Sequence, residues 1–344
     1  MGLRKDHDSP GLARVAVREG LQARSFKRAA EAVSDAVGGS ISADSVRRLS
    51  EGFGEAVAQR RTQEAERAER IAQRSDGPGE RRLPVDEPVG EQGNVSTDGA
   101  MVRVRADGWK EAKLTTISAV TSQPVSEERE KGRRVGERDV TLSRHSYQAG
   151  LWDADTLGRF QYAEALRRGV DLCQRVSVVN DGALWIERVT GTNFPDAVQI
   201  VDWTHASERV WDVGKAIFGE GTAATERWVD ERLAALWGGR VGVVIADVET
   251  LDLTKASDSA TVRQAPGYFR HNLARMDYPT YRQAGYPIGS GTVESGANTL
   301  VHHRLRRPGR GWVHDAANAM LAGLAELHSD RFPSVWRSLE AAPV

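Results

Sequence analysis

Apolar positions recur at helical spacing in the first part of the chain. Leu21, Phe26, Ala29, Ala30, Val33 and Val37 line one face of a helix predicted over 21–37, which Gly38, Gly39 and Ser40 break. Ile41 follows as a buried hinge. Ser42 is a good cap for a second helix that turns Val46 and Leu49 inward and Ser45, Arg47 and Arg48 outward. Helix, glycine turn and helix with exposed arginines is the outline of a helix-turn-helix, which makes Arg47 and Arg48 candidate DNA contacts. Helical hairpins that bind nothing share that outline. From 55 to 74 large apolar residues become scarce among Ala, Glu, Arg and Gln, so one exposed helix supported by charge pairs is expected. Residues 75–93, rich in Gly, Pro and charge, read as a linker that separates a helical region, 1–74, from a second domain.

Beyond the linker the period changes. Val95, Met101, Val102 and Val104 mark a first strand that contains Asp98. A turn at Ala106, Asp107 and Gly108 leads to a second strand over 109–120, and a third falls near 140–147. A helix over 153–169 is capped by Asp153 and stopped by Gly169. Val176, Val178 and Val179 form a continuous apolar run, as in a strand buried on both faces, ending at Asn180, Asp181 and Gly182. A further strand over 197–201 ends in Asp202, with His205 three residues on. This order of strands and helices indicates an α/β domain with a mixed sheet. Residues 206–285 read as a helical insertion with amphipathic stretches at 224–237 and 268–281. The β-branched stretch 241–251 is read as helix because its neighbours are helices. The second domain thus divides into 94–205, the insertion 206–285, and 286–344.

At 344 residues the chain is long enough for two domains. Its formal net charge of −1 does not announce a nucleic-acid binder, but the average hides the acid-free run Arg304, Arg306, Arg307 and Arg310. Arginine outnumbers lysine, which suits bidentate phosphate contacts and equally a GC-rich genome. Cys173 is the single cysteine, which excludes an intrachain disulfide and a CxxC zinc site and points to a reducing cytoplasm. No apolar run approaches the roughly 18 residues of a membrane span. The start lacks the apolar core of a signal peptide, so a cytoplasmic protein without a membrane partner is expected.

The most chemistry is gathered in 286–312, YPIGSGTVESGANTLVHHRLRRPGRGW. Gly289, Ser290 and Gly291 allow a sharp entry into a helix that Ser290 or Thr292 can cap, with Glu294 in its first turn. Asp98 in a first strand, Asp181 at the end of a buried one and Glu294 on a late helix make an order of acids suited to two divalent cations. Mg²⁺ takes few protein carboxylates and completes its shell with water and substrate phosphate. A pair of such ions activates a water or hydroxyl and stabilises the leaving oxygen of an in-line displacement at phosphorus. Taken singly, each acid also fits a plainer role: Asp98-Gly99 and Asp181-Gly182 are common turn pairs, and Asp202 can cap the next helix. His205 reads as a brace for the metal site, a phosphate contact, or a capping residue. The four arginines would follow a DNA backbone away from the metals. Trp312 would stack on an unpaired base, although most of the nine tryptophans are core by default.

The segments VSTDGAMV, NDGALWI, FPDAVQIVDWTHASERVW and YPIGSGTVESGANTLVHHRLRRPGRGW, in this order, resemble bacterial insertion-sequence transposases of the DDE class, the ISKra group above all, and Mutator-like elements more distantly. The resemblance implies an α/β, RNase H-like fold, a mixed sheet with a helical insertion; the small all-α helix-turn-helix region read from the pattern precedes it. It implies Mg²⁺-dependent cutting of double-stranded DNA at the element's ends, with Mn²⁺ as substitute, and joining of the 3′ ends to target DNA by a homo-oligomer, at least a dimer. It places the triad on Asp98, Asp181 and Glu294, and the D-x-x-H motif on Asp202 and His205. Between Asp181 and Asp202 as second ligand, the end of the central strand favours Asp181. Two departures stand out: Asn298 occupies the lysine position of the family's VES-x-x-K, and the paired cysteines of a longer N-terminal region are absent. A shortened start is therefore expected, and the alternatives are a catalytically impaired DNA-binding remnant or an RNase H-like nuclease.

Overall fold

The computed structural model describes residues 9–73, 83–125, 137–306 and 311–341. Five strands, β1 Gln92–Val104, β2 Gly108–Pro124, β3 Arg138–Gly150, β4 Arg175–Asn180 and β5 Val198–Val201, form a mixed sheet in the order β3-β2-β1-β4-β5. The helices are α1 Pro10–Gln22, α2 Phe26–Val37, α3 Ala43–Gln73, α4 Ala154–Arg167, α5 Leu184–Asn193, α6 Trp203–Phe218 and α7 Ala223–Trp237. They continue with α8 Val241–Glu249, α9 Ser259–Asn272, α10 Tyr278–Ala284, α11 Gly291–Gly296, α12 His314–His328 and α13 Phe332–Ala341. The chain is thus α/β. Its contacts divide it into two compact units, one of Met1–Ala119, Ser143–Gln174 and Gly291–Val344, the other of Val120–Leu142 and Arg175–Ser290.

In the first unit the helix expected over 21–37 is two helices. Ser25 caps α2 by accepting the Arg28 N–H at 3.2 Å, so Leu21 belongs to the helix before it. The next turn falls where the sequence puts it: Gly38 is left-handed at φ 63°, and Ser42 Oγ accepts the Ser45 N–H at 3.0 Å. The following helix then runs unbroken for 31 residues as α3, and its second half is not the exposed helix expected. Val57, Arg61, Ala65 and Ala68 are buried there. At Gly54 the missing side chain lets α12 come close: a Cβ there would lie 2.0 Å from the Ala319 carbonyl oxygen. Gly54→Ala should therefore force two helix backbones apart and cost about 1–3 kcal/mol, read as a lower urea midpoint at unchanged slope. An unchanged midpoint would show that the helices are not in this contact.

The core of this unit joins Leu21, Phe53, Leu114, Leu300, Met320 and Trp336, with the Phe53 ring 5.2 Å from Phe332 and 5.8 Å from Trp336. β1 and β2 pair antiparallel from Gly93↔Ala119 to Val104↔Gly108, closing at the turn foreseen at 106–108. Asp153 caps α4 through the Thr156 N–H, and Gly169, at φ 64°, ends it. Of the linker read over 75–93, the part from 83 to 91 is irregular but not loose: Leu83 and Val89 are buried, and Arg144 and Arg168 donate to the carbonyls of Pro88, Val89 and Glu87. The tail after Arg306 is likewise not a basic appendage where it is described, because α12 is apolar and buried along most of its length.

In the second unit β4 and β5 are parallel, Ser177↔Val198 through Asn180↔Val201, and α5 makes the crossover. In the sequence the preceding apolar run ends at Gly182, and no helix is assigned between it and the strand over 197–201. The insertion contains α6–α10, and α8 is helical as read. The stretch 268–281 is not one helix: α9 ends at Asn272, a tight turn follows, and Asp277 caps α10. Tyr278 is fully buried and donates its hydroxyl to the Val201 carbonyl at 3.1 Å, fastening α10 to the end of β5. Among the described residues no helix is long and apolar enough to cross a membrane.

Candidate metal centre

The parallel register of β4 and β5 aligns Asn180 with Val201, so the next residues, Asp181 and Asp202, leave neighbouring strands at the same end. The Asp202 N–H donates to the Asn180 carbonyl at 2.7 Å, which holds the two exits together. Carboxyl ends of adjacent parallel strands are where open α/β sheets bind ligands.

Asp202 is completely buried. It caps α6, as one reading of the sequence proposed, with Oδ1 accepting the His205 N–H at 2.8 Å and lying 3.1 Å from His205 Nδ1. The capping and D-x-x-H readings are the same geometry. Its Oδ2 accepts the N–H of Ser290, and the Trp203 N–H donates to the Ile288 carbonyl at 2.8 Å. Burial alone would raise the Asp202 carboxyl, but the hydrogen bonds from His205 and Ser290 hold it below the ordinary aspartate range. The bond to Asp202 lifts the His205 imidazole to about 9 against the effect of burial, with Asp181 adding to the rise. His205 is thus an imidazolium at neutral pH. With Nδ1 donating to the carboxylate, Nε2 carries the second N–H of the imidazolium. In metal-free protein the His205 ring should titrate near pH 9 by NMR, and Asp202→Asn should return it toward 6.5. A midpoint near 6.5 in the unmodified chain would refute the pairing.

Asp181 is half-buried. Its Oδ1 accepts the Ala183 N–H at 2.8 Å and its carbonyl accepts the Tyr268 hydroxyl at 3.1 Å. The turn reading therefore holds for one of its oxygens. Gly182, at φ 87°, is required because a side chain there would be strained and would press on Asn272.

In the first unit Asp98 lies within β1 opposite Leu114 and is half-buried, so the hairpin-turn reading of Asp98-Gly99 fails. Its Oδ1 accepts the Gly99 N–H at 2.7 Å. Glu294 is half-buried in the first turn of α11, which packs against β1. The packing is close because Gly296 has no side chain: a Cβ there would lie 2.9 Å from the Tyr147 ring and 3.4 Å from Leu114. The helix goes on as a π-helical turn over Ala297–His302, with Leu300 and Val301 buried, and π turns recur at functional sites. The cap expected from Ser290 or Thr292 does not form. Among the described residues, Ser290 Oγ and Thr292 Oγ1 are buried without a hydrogen-bond partner. Buried hydroxyls left so are costly unless a ligand or its water satisfies them. Ser290 is bonded to Asp202, and Glu294 is only four residues further along the chain.

The candidate DNA contacts are less uniform than the sequence suggests. Arg47 is held by Asp44 at 2.7 Å and Glu51 at 2.8 Å, and Arg48 is exposed, 3.4 Å from Asp44. Arg304 is 3% exposed, its guanidinium 4.3 Å from the Phe26 ring centre and 5.1 Å from that of Trp312. It packs in the interior and is not part of an exposed basic run. Arg306 is exposed over Trp109, while Arg307 and Arg310 lie outside the described residues. Trp312 is half-buried, donates Nε1–H to the Leu305 carbonyl at 3.0 Å, and bridges to Val104 of β1. Compared with known proteins, the chain matches no family model and no curated sequence.

Proposed function

We propose that this chain is a Mg²⁺-dependent DNA transposase of the DDE class, built on an RNase H-like domain with a helical insertion and similar to the ISKra group. The observation that carries the reading is the fastening of Ser290 to Asp202. Within the second unit it fixes Ser290, four residues before Glu294 in the chain, at the end of β5 beside the exit that bears Asp181. The strand order β3-β2-β1-β4-β5, antiparallel at β1–β2 and parallel at β4–β5, is compatible with that fold. Asp98, Asp181 and Glu294 are the proposed ligands. Asp202 and His205 brace them, with Asp202 in place of Asp181 as the alternative second ligand. Oxygen donors of this kind suit Mg²⁺ or Mn²⁺, whereas an imidazolium favours the bracing role for His205. When bound, two such ions supply an activated water or hydroxyl and stabilise the leaving oxygen at phosphorus. The residues of the chain then hold the ions, orient the strand, and set a cation, His205, beside the phosphate. The substrates are double-stranded element ends and target DNA, handled in the cytoplasm by at least a dimer.

The test is incubation of the full chain with DNA carrying its own element's ends. Strand cleavage at those ends in Mg²⁺ or Mn²⁺, blocked by EDTA, is expected. Salt-sensitive binding of the same DNA with no cleavage in either metal would overturn the enzymatic reading and leave a DNA-binding protein.

A further inference from the structure

A cavity of roughly 730 Å³ in the first unit takes no part in the metal chemistry. Its walls come from the start of α2, from α3, from the residue after β1, and from the segment that leads into α12. Six cations line it, Arg24, Lys27, Arg28, Arg47, Arg105 and Arg304, against one carboxylate, Glu51. They are not equivalent. Arg47 is engaged by Glu51 and Asp44, and buried Arg304 braces the floor. Arg24, Lys27, Arg28 and Arg105 are exposed.

The floor is aromatic. Phe26 and Trp312 meet edge to face at 6.1 Å, with Arg304 over both rings. Their places are fixed from several sides. Trp312 exchanges backbone hydrogen bonds with Arg103 and Arg105 at 2.9 and 2.7 Å, and Arg105 Nε donates to the Gly311 carbonyl at 2.8 Å. An excess of cations in a concavity selects a dense anion and rejects a cationic or neutral ligand. The aromatic floor under that rim adds apolar ring surface, one ring meeting the other edge to face. Anion and flat ring joined in one molecule describe a nucleotide. A base held in a complementary partner strand would keep its ring faces stacked away from the floor, so the nucleotide is unpaired.

We infer that this cavity binds a nucleotide with an unpaired base, its ring against Phe26 and Trp312 and its phosphates among Arg24, Lys27, Arg28 and Arg105. The site deepens the DNA-handling reading and rests on it for its setting, but it needs neither the metal nor cleavage. A strand end, an extruded nucleotide and a free mononucleotide share this chemistry.

The test measures binding by the full chain in EDTA, using a labelled single-stranded oligonucleotide, a blunt duplex of equal length, and a deoxynucleoside monophosphate as competitor. The single strand should depend on this cavity more than the duplex, which the DNA-handling reading expects other surfaces to bind as well. The variant Arg28→Glu with Arg105→Glu, both at exposed positions, should weaken binding of the strand about tenfold or more and reduce the slope of log affinity against log salt by roughly two. Competition by the mononucleotide identifies a free nucleotide as a ligand, and its failure identifies the strand. Either result is compatible with the site. Equal affinity of the variant and the unmodified chain for the single strand overturns the inference, as does a variant that weakens the duplex as much as the strand. Because no metal is present, these outcomes are independent of whether element ends are cut.

Discussion

Glu326→Gln is expected to destabilise the first unit by about 3–5 kcal/mol, the scale for breaking a buried ion pair by removing one partner. Glu326 is 2% exposed and accepts from Arg61 at 2.9 Å and Arg331 at 2.8 Å. Arg331 turns its other edge to Glu164 at 2.7 Å, which also accepts from Gln148 at 2.9 Å. Arg167 lies 3.7 Å from Glu326 and 3.3 Å from Glu64, closing the network. Neutralising Glu326 leaves Arg61 and Arg331 buried with one charge too few, and an arginine cannot lose its proton to escape. The same network sets an acid limit. Burial pushes Glu164 up, but Arg331 and Arg167 outweigh it and hold the carboxyl at about 2; Glu326 is depressed further by Arg331 and Arg61. Both folded values lie below the unfolded value of about 4.3, so their stabilisation is complete above that pH and is lost as pH falls toward 2. Urea midpoints between pH 5 and pH 2 should therefore fall steeply in the parent and less steeply in Glu326→Gln. Parallel pH profiles would show that these carboxylates are not paired in the folded chain.

None of this network was legible in the sequence. Glu326 appears as a lone charge in an apolar helix, and Arg61 as one of many charges in a stretch poor in large apolar residues. Long-range pairing of two helices 265 residues apart leaves no periodic trace. Strand positions and some caps were legible because their signals are local: the apolar positions Val95, Met101, Val102 and Val104 for β1, a continuous valine run for β4, Asp153 and Gly169 bounding α4. The sequence offers the candidate site as an order of acids, not as a geometry. Asp202 could be read as cap or as motif, and only the bonds to His205 and Ser290 make the two readings one. The arginines misled for the converse reason. A run of like charges reads as surface, yet Arg304 is held inside by two rings that the sequence places 286 residues apart. The cavity over those rings was likewise hidden, since its cations come from four separate segments.

Glu294→Gln is expected to reduce metal-dependent cleavage at least about a thousandfold, the scale seen when one member of a catalytic constellation is lost. Gln keeps the shape of the side chain but offers one neutral oxygen in place of a charged carboxylate, so an ion is held less tightly and its charge is balanced less well. The fold should not notice. Glu294 is half-buried on a helix anchored by Val293, Gly296, Leu300 and Val301, and the urea midpoint should stay within about 0.5 kcal/mol of the parent. Asp202→Asn supplies the contrast. A residue that only orients others costs about 10–100-fold in metal affinity or activity. Mn²⁺ affinity, followed by electron paramagnetic resonance in both variants, therefore separates the roles. A modest loss for Asp202→Asn beside a severe one for Glu294→Gln makes Asp202 the brace and Asp181 the second ligand. Equal, severe losses make Asp202 itself a ligand. Cleavage that survives Glu294→Gln undiminished removes this helix from the metal site and the transposase assignment with it.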